Sequence, residues 1–247
     1  MKLVLENAMD FKKRIDAVSV LIDEAELVVS KNGLSLKATD PSQISMVDFK
    51  LGKEAFKELL IDSDIRLGLD LDYFAQVMNR AKAGEQLVLE LEEKNSRLIV
   101  SFKGKSSRKF SVPLIDISSN ELPSPRIEFE ASIKLKAEVL QDALKDAQLI
   151  STHVMLGVNA SSFFVKANSS KGELNNHTSK DDASLIELNA KKECSSMFPL
   201  DYLNDMIKSA SNETIVELNL KSNAPIHIKY GIGKSFIEYF LAPRIES

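Results

Sequence analysis

One stretch of this sequence occurs twice, and the repeat constrains the fold more than any other feature. The first copy, LDYFAQVMNRAKAGEQLVLELEEKNSRLIVSF, begins at Leu71, and the second, LDYLNDMIKSASNETIVELNLKSNAPIHIKY, begins at Leu200. The alignment holds through the first alternating segment and shifts by one residue at the next turn, a change that loops tolerate. Solenoid repeats are much shorter, roughly 20–50 residues. The repeat therefore predicts two domains of one fold.

Each copy has the pattern of a helix followed by a β-hairpin. In the first copy the apolar residues share one helical face, and Gly84 follows them as a helix-terminating glycine does. Residues 86–92 and 97–103 then alternate between apolar and polar side chains on either side of a short polar turn. Such alternation is typical of half-buried strands, so the pair predicts a hairpin.

Each half also contains a second helical pattern and further strands. An apolar stripe with helical spacing runs through residues 8–22, and residues 137–150 have the same pattern. Asn32-Gly33 between apolar segments predicts a tight hairpin. Residues 55–62 fit a short helix or an edge strand, of which we favour the strand, and we interpret the polar residues 171–183 as an edge strand or loop. The chain is therefore predicted to be α+β, with two topologically similar domains, each with two helices packed on antiparallel β-sheets.

The segment 115–129 breaks the pattern and is the best candidate for a linker. It reads IDISSNELPSPRIEF, and Pro123 and Pro125 restrict the residues before them to extended conformations. We therefore place an N-terminal domain at 1–114, a connecting linker at 115–129 and a C-terminal domain at 130–247.

Composition excludes several classes of protein. With 247 residues, 44% hydrophobic and 28% charged, the chain has ample material for packed cores. No apolar run approaches the ~20 residues that span a bilayer, and the N-terminus does not resemble a signal peptide. A single cysteine, Cys194, favours a reducing interior. The net charge of −4 argues against a strongly basic nucleic-acid coat, although a local basic face stays possible.

Residues that could carry chemistry are scattered and form no catalytic or metal-binding motif. His153, His177 and His227 stand singly, so each is interpreted as a core or surface residue. The glycine-rich segment at Gly231 lies between two strands and is interpreted as a hairpin turn. Asp40 and Asp181-Asp182 have no partner at a defined spacing. The sequence therefore favours a binding protein over an enzyme and predicts no metal site.

The helices carry basic residues away from their apolar stripes. These are Lys12 and Lys13 on the first helix, Arg80 and Lys82 on the second, Lys145 on the third and Lys208 on the fourth. Acidic residues accompany them, so one interpretation is a solvated face of mixed charge. The other is a positive lining that binds phosphates without reading bases, which requires all four helices to share one surface.

Several dispersed motifs resemble a known family. The C-terminal LAPRIES (241–247), the stretch SKNGLSLKATDPSQISMVDFKL (30–51), AKAG (81–84) and LDYL (200–203) occur in matching order. On these motifs the chain resembles, over essentially all its length, the DNA sliding clamps of the proliferating cell nuclear antigen type in their archaeal form.

The resemblance implies a clamp fold of two similar domains and a ring of three subunits that encircles duplex DNA without reading sequence. It implies no catalytic activity and no cofactor, and a cytoplasmic, nucleoid-associated location. The implied partners are DNA polymerase, clamp loader, flap endonuclease and DNA ligase, which bind through short peptide motifs. Two alternatives stay open: a protein-interaction scaffold that does not touch DNA, and a nucleic-acid-processing enzyme with an acidic site near Asp40 or Asp181.

The resemblance also implies roles for particular residues. The DNA-facing set is the six basic residues above, although Gln76 and Asn79 stand where many family members carry lysine. The peptide-binding set comprises Gln43, Ile44, Met46, Leu122, Pro225, Phe240, Leu241, Ala242, Pro243, Arg244 and Ile245. The subunit interface would pair two edge strands through Arg108, Lys109, Phe110 and Val112 on one side and Glu173, Asn175 and His177 on the other. We hypothesise that basic residues 107–109 and acidic residues 181–182 supplement this pairing.

The first prediction concerns assembly. If the ring contains three copies of this chain, light scattering of the purified protein should give about three times the chain mass of 27.4 kDa. A monomer would instead favour a mixed ring that includes related chains.

Overall fold

The structure is a computed structural model that describes residues 1–117 and 122–245. It divides into two compact units. The first comprises Met1–Pro41, Val47–Leu122 and Ile232–Ile237, and the second comprises Ser42–Met46, Pro123–Gly231 and Glu238–Ser247. The boundaries expected at 114 and 129 stay a prediction. Residues 118–121 of the expected linker and 246–247 of the C-terminal motif lie outside the described residues.

The N-terminal half contains two helices and nine strands. In chain order they are β1 (Lys2–Leu5), α1 (Ala8–Ser19), β2 (Glu24–Ser30), β3 (Gly33–Thr39), β4 (Ser45–Gly52), β5 (Glu58–Leu60), β6 (Ile65–Asp70), α2 (Leu71–Met78), β7 (Gln86–Glu92), β8 (Arg97–Lys103) and β9 (Ser107–Pro113). One sheet has the order β5-β1-β7-β8-β9, and the other strands are arranged β4-β3-β2-β6. The pairs β1–β7, β7–β8, β8–β9 and β2–β3 are antiparallel.

The C-terminal half repeats this plan. Its elements are β10 (Ala131–Lys136), α3 (Ala137–Gln148), β11 (His153–Val158), β12 (Ser162–Ser169), β13 (Gly172–Ser179), β14 (Leu185–Ala190), β15 (Cys194–Pro199), α4 (Leu200–Ile207), β16 (Ile215–Leu220), β17 (Ile226–Ile232) and β18 (Ser235–Leu241). The strand orders are β13-β12-β11-β15 and β14-β10-β16-β17-β18. The α+β fold of two similar halves is therefore confirmed.

In each half the two helices contact each other, α1 with α2 and α3 with α4. The rings of Phe11 and Phe74 meet edge to face at 6.4 Å, and both side chains are fully buried. Burying one such ring contributes about 1.5–3 kcal/mol, so this contact holds α1 and α2 together.

The repeated sequence folds as expected into a helix and a hairpin in both halves. α2 is followed by β7 and β8, and α4 is followed by β16 and β17. The corresponding aromatic residues Phe102 and Tyr230 are both buried, at 0% and 2% exposure. The Tyr230 hydroxyl donates to the carbonyl of Met206 at 2.7 Å, which satisfies the polar atom that the second copy adds to its core.

Three helices end earlier than the sequence pattern indicates, and the expected bounds are corrected here. The expected helix 8–22 ends at Ser19, and the expected helix 137–150 ends at Gln148. α2 ends at Met78, so Arg80 and Lys82 lie in the turn after the helix rather than on it. The amides of Leu21 and Arg80 bond to carbonyls three residues back, the tighter geometry with which helices finish.

Other segments agree with their interpretations. Residues 55–62 contain the strand β5, and residues 171–183 contain β13, which lies at the edge of its sheet. β9 is likewise an edge strand. Residues 115–117 and 122–129, the described part of the expected linker, contain no helix or strand.

The turn between β2 and β3 depends on a glycine. Gly33 has φ +128°, and a Cβ there would lie 2.1 Å from the carbonyl oxygen of Leu51. Gly84 also has a positive φ, +78°, but a Cβ would meet nothing within 4 Å. Position 33 is therefore restricted to glycine by its backbone angle and by the lack of space for a Cβ. Position 84 is restricted by its backbone angle alone.

We expect Gly33→Ala to destabilise the protein by on the order of 2–3 kcal/mol, because strain and steric overlap act together. Gly84→Ala is the matched control and should cost about 1–2 kcal/mol. Urea unfolding at a fixed protein concentration measures both. Equal losses from the two substitutions would contradict the proposed role of the Leu51 carbonyl.

Candidate functional site

The basic residues of α1 lie on a well-capped helix. The Asn7 side chain accepts from the amides of Met9 and Asp10 at 3.0 and 3.3 Å, which starts the helix. Lys12 forms an ion pair with Asp16 one turn later. Lys13 is exposed and has no ion pair among the described residues. α1 therefore offers one free and one partly neutralised cation.

The basic residues near α2 occupy an ordered turn. The side chains of Arg80 and Lys82 are exposed. Their backbones are fixed by side chains, because the Arg80 carbonyl accepts from Arg108 at 2.7 Å and the Lys82 amide donates to Glu85 at 2.8 Å. The turn thus holds two cations in place although the helix has already ended.

A groove of about 790 Å³ runs between α3 and α4. Both basic residues of this half, Lys145 and Lys208, line it together with Asp201 and Asp205. Lys145 pairs with Asp142 at 2.9 Å. Burial raises the pKa of Asp205, with Asp201 adding to the shift and Lys208 opposing it. The groove therefore carries mixed charge rather than a continuous positive lining.

Arg108, expected at the subunit interface, is engaged within its own chain. Its Nη2 donates to both carboxylate oxygens of Glu85, and its Nη1 donates to the Arg80 carbonyl. The guanidinium carbon lies 5.2 Å from the centre of the Phe102 ring. Burial alone would raise the pKa of Glu85, but hydrogen bonds from the Lys82 amide and Arg108 outweigh it and lower the pKa.

The acidic side of the expected interface is also partly engaged. Asp182 accepts from both the amide and the hydroxyl of Ser184, which lowers its pKa. On β13 the residues Glu173, Asn175 and His177 share the exposed face. On β9, Lys109 is exposed, Phe110 is half-buried and Val112 is 1% exposed. Of the two cations of the expected interface, Lys109 is therefore exposed, whereas Arg108 is engaged within its own chain.

The C-terminal segment is held in an extended conformation. The Ala242 amide donates to the Ile44 carbonyl at 2.8 Å, and the Arg244 amide donates to the Met197 carbonyl at 2.7 Å. Ile245 is 73% exposed, whereas Leu241 is fully buried and Met46 is 7% exposed. Leu241 and Met46 of the expected peptide site are thus core residues, which a ligand would not reach directly.

The other members of that set have surface positions. Gln43 and Arg244 are exposed, and Ile44, Leu122, Pro225, Phe240, Ala242 and Pro243 are half-buried. Gln43 has a positive φ of 57°, which turns the loop before β4. Arg244 Nη1 lies 3.2 Å from Nδ1 of His153, and burial and this charge together lower the pKa of His153.

Comparison with known proteins agrees with this architecture. The sequence models described as "Proliferating cell nuclear antigen, N-terminal domain" and "Proliferating cell nuclear antigen, C-terminal domain" match residues 1–122 and 124–245. The chain belongs to the proliferating cell nuclear antigen family. A protein of Methanococcus maripaludis strain C6 named DNA polymerase sliding clamp is 39% identical over 249 residues, 98% of each chain. A protein of the same name from Thermofilum pendens is 34% identical and covers 99% of each chain.

Solved structures of the family are similar along the whole chain. The Thermococcus kodakaraensis protein superposes with a TM-score of 0.93 at 26% identity, covering 98% of this chain and 99% of that one. The A. fulgidus protein, solved with the C-terminal region of FEN-1 bound, has a TM-score of 0.88 at 28% identity and covers 100% of this chain and 99% of that one.

Two residues beside the peptide-binding set escaped the sequence analysis. The His227 ring lies between the Phe129 and Phe240 rings, at centroid distances of 6.1 and 4.6 Å. His227 was interpreted as a solitary histidine, and Phe129 as the last residue of the linker. Strand alternation could have placed His227 on the same face as Pro225, two residues earlier. Nothing in the sequence pattern brings Phe129 to that face.

The remaining candidates for chemistry stay dispersed. Among the described residues no group of three His, Cys, Asp or Glu is arranged to hold a metal ion. Asp40 is 3% exposed, and Asp181 is exposed. Gly233 lies in the turn between β17 and β18, so the hairpin interpretation of the glycine-rich segment is confirmed. No helix in the described part of the chain is long and apolar enough to cross a membrane.

The Glu85–Arg108 contact makes stability depend on pH. Because its pKa in the folded protein is below the ordinary 4.5, Glu85 stabilises the fold above that pH, and this contribution disappears as the pH falls through the lowered value. We expect Glu85→Gln to cost on the order of 2 kcal/mol at neutral pH, with the deficit shrinking in acid. Urea unfolding across pH measures this. Glu93→Gln, an exposed acid, is the control, and identical pH profiles of the wild type and Glu85→Gln would refute the assignment.

Proposed function

We propose that this chain is a DNA sliding clamp, a processivity factor that encircles duplex DNA and tethers the replicative polymerase and other replication and repair proteins. The observation that carries the proposal is the match of both halves, over nearly the whole chain, to relatives named DNA polymerase sliding clamp. Chemistry on DNA then belongs to the tethered partners, and no catalytic step is assigned to this chain.

Closure of the ring is proposed to occur through β9 of one copy and β13 of the next. Each lies at the end of its sheet, so each has a row of backbone N–H and C=O groups available for a further strand. Three copies joined in this way would close a ring. Lys109 would add an ion pair with the next subunit beside the paired strands. Exposed ion pairs contribute only about 0–1 kcal/mol each. Backbone pairing and apolar contact would therefore supply most of the interface energy.

The proposed DNA contacts come from the basic residues near the four helices, namely Lys12, Lys13, Arg80, Lys82, Lys145 and Lys208. Such contacts address phosphates and do not read bases. Nearby acids offset several of them, as Asp16 does for Lys12 and Asp142 for Lys145. Weak, evenly distributed attraction allows movement along DNA, whereas the net charge of −4 discourages binding elsewhere on the surface.

Partners are proposed to dock at the C-terminal tail and its neighbours. The tail is extended, its last described residue, Ile245, is exposed, and the half-buried Pro225 and Phe240 add apolar surface. A short peptide can bind such a surface by an apolar anchor combined with backbone hydrogen bonds. The A. fulgidus family member binds the C-terminal region of FEN-1. We extend this mode to peptides of polymerase, clamp loader, flap endonuclease and ligase.

The test is polymerase stimulation on primed circular DNA in the presence of a clamp loader. The wild type should stimulate, and replacing Lys12, Lys13, Lys145 and Lys208 by alanine should weaken stimulation. Each lost phosphate contact should reduce the salt slope of DNA binding by about 0.9. The control replaces four exposed lysines that lie outside the four α-helices, Lys31, Lys53, Lys94 and Lys171.

The outcomes distinguish the clamp function from the assignment of DNA-facing residues. A wild type that never stimulates would refute the clamp function. Stimulation by the helix variant equal to that of the control variant would refute the DNA-facing assignment while leaving the clamp function intact.

A further inference from the structure

His227 occupies the centre of an aromatic stack beside the proposed peptide site. The planes of its ring and those of Phe129 and Phe240 differ by only 24° and 27°. The histidine side chain is 12% exposed, so the two phenylalanines cover most of it. Phe240 is followed directly by the extended tail. Pro225 lies two residues before His227, the spacing that places side chains on the same face of a strand. The stack is therefore continuous with the surface proposed to receive the peptide.

A chain of hydrogen bonds fixes the edge of the same ring. Nε2 of His227 lies 3.1 Å from a carboxylate oxygen of Glu238, which also pairs with Lys229 at 3.0 Å. Nδ1 lies 3.1 Å from the amide nitrogen of Asn219, and that nitrogen also donates to Glu217 at 3.0 Å. His227 is thus held by its neighbours on both sides of its strand.

These contacts select one protonation state. The Glu238 carboxylate only accepts, so Nε2 carries the hydrogen. The Asn219 amide nitrogen only donates, so Nδ1 must accept and carries none. Turning the Asn219 amide around would direct its oxygen at the Glu217 carboxylate. The observed arrangement therefore belongs to the neutral histidine with its hydrogen on Nε2.

We propose that neutral His227 is a positioning residue of the partner-peptide pocket and that its protonation weakens peptide binding. A second N–H on Nδ1 would face the Asn219 N–H group. Relief requires Asn219 to give up its bond to Glu217, or the His227 ring to turn out of the stack between Phe129 and Phe240. Either change disturbs the apolar wall beside the peptide. The inference rests on the proposed peptide site and adds to it a sensitivity to pH.

Charged groups from three neighbouring strands surround the ring. β18 contributes Glu238, β17 contributes Lys229, and β16 contributes Glu217 through Asn219. The segment before β10 contributes the apolar ring of Phe129, and the acidic residue that follows it, Glu130, pairs with Lys192 at 3.0 Å. Burial would raise the pKa of Glu238, but the bonds from Lys229 and His227 outweigh it and lower the pKa, so this carboxylate stays charged in mildly acidic solution.

The experiment measures binding of a labelled peptide with the sequence of the FEN-1 C-terminal region by fluorescence anisotropy, from mildly alkaline to mildly acidic pH. For the wild type, Kd should rise on the order of fivefold as histidine protonates, the effect of about one lost hydrogen bond. His227→Phe keeps an aromatic ring in the stack but cannot titrate, so its Kd should be independent of pH over this range. His227→Gln lacks the ring and should bind more weakly at every pH, again without a step.

His153 is the necessary control because it contacts Arg244 of the tail and also titrates. His153→Gln should retain the pH step. Light scattering at each pH shows whether the assembly is unchanged, and circular dichroism shows whether each variant is folded.

The role of His227 would be overturned if Kd still rose in acid for both His227 variants, or if the rise disappeared in His153→Gln. A wild type with constant Kd would do the same. Failure of the wild type to bind the peptide at any pH would instead refute the peptide site itself, and this inference with it.

Discussion

Burial of one apolar face of each helix on antiparallel strands is the constraint on which the rest of this structure depends. Phe11 and Phe74 are fully enclosed, and the corresponding region of the second half encloses Leu140, Leu144 and Leu203. Because the apolar face of each helix is fixed inward, its polar face is fixed outward. Core packing therefore keeps the helical residues Lys12, Lys13 and Lys145 toward the surface, whereas Arg80 and Lys82 are exposed in the ordered turn after α2.

The edge strands of the sheets are a second feature that follows from this packing. Strands in the middle of a sheet satisfy their backbone groups, whereas β9 and β13 each have one unpaired side. Their side chains are more polar than those of the central strands, as β13 with its alternating exposed residues illustrates. Edges of this kind avoid indiscriminate aggregation yet can still accept one matching strand, which suits a protein that we propose to close on further copies of itself.

Two charged networks show why a residue's type does not determine its role. Arg108 and Lys109 are adjacent cations on β9, yet Arg108 is bound to Glu85 of its own chain and Lys109 faces solvent. His227 is joined to Glu238 and Asn219, whereas His177 on β13 is exposed. On β9 strand alternation turns Arg108 toward neighbours and Lys109 away, and the neighbours then decide which of the two charges is available to a partner.

The sequence by itself determined the duplication, the α+β class and the helix-and-hairpin unit. It did so because apolar periodicity and turn residues are local signals that survive into the fold. The motif LAPRIES added the family. Local signals did not fix where helices end, since α2 stops at Met78 through hydrogen bonds that only the folded turn makes.

Only the tertiary structure decided which residues of the expected sites are accessible. Leu241 is in the core, Arg108 is occupied, and Phe129 joins His227 and Phe240 in a stack that spans residues far apart in the chain. The physical reason is that accessibility and pairing depend on which strands become neighbours. Contacts between residues that are distant in the sequence decide which strands become neighbours, and the apolar periodicity of a single segment does not predict those contacts.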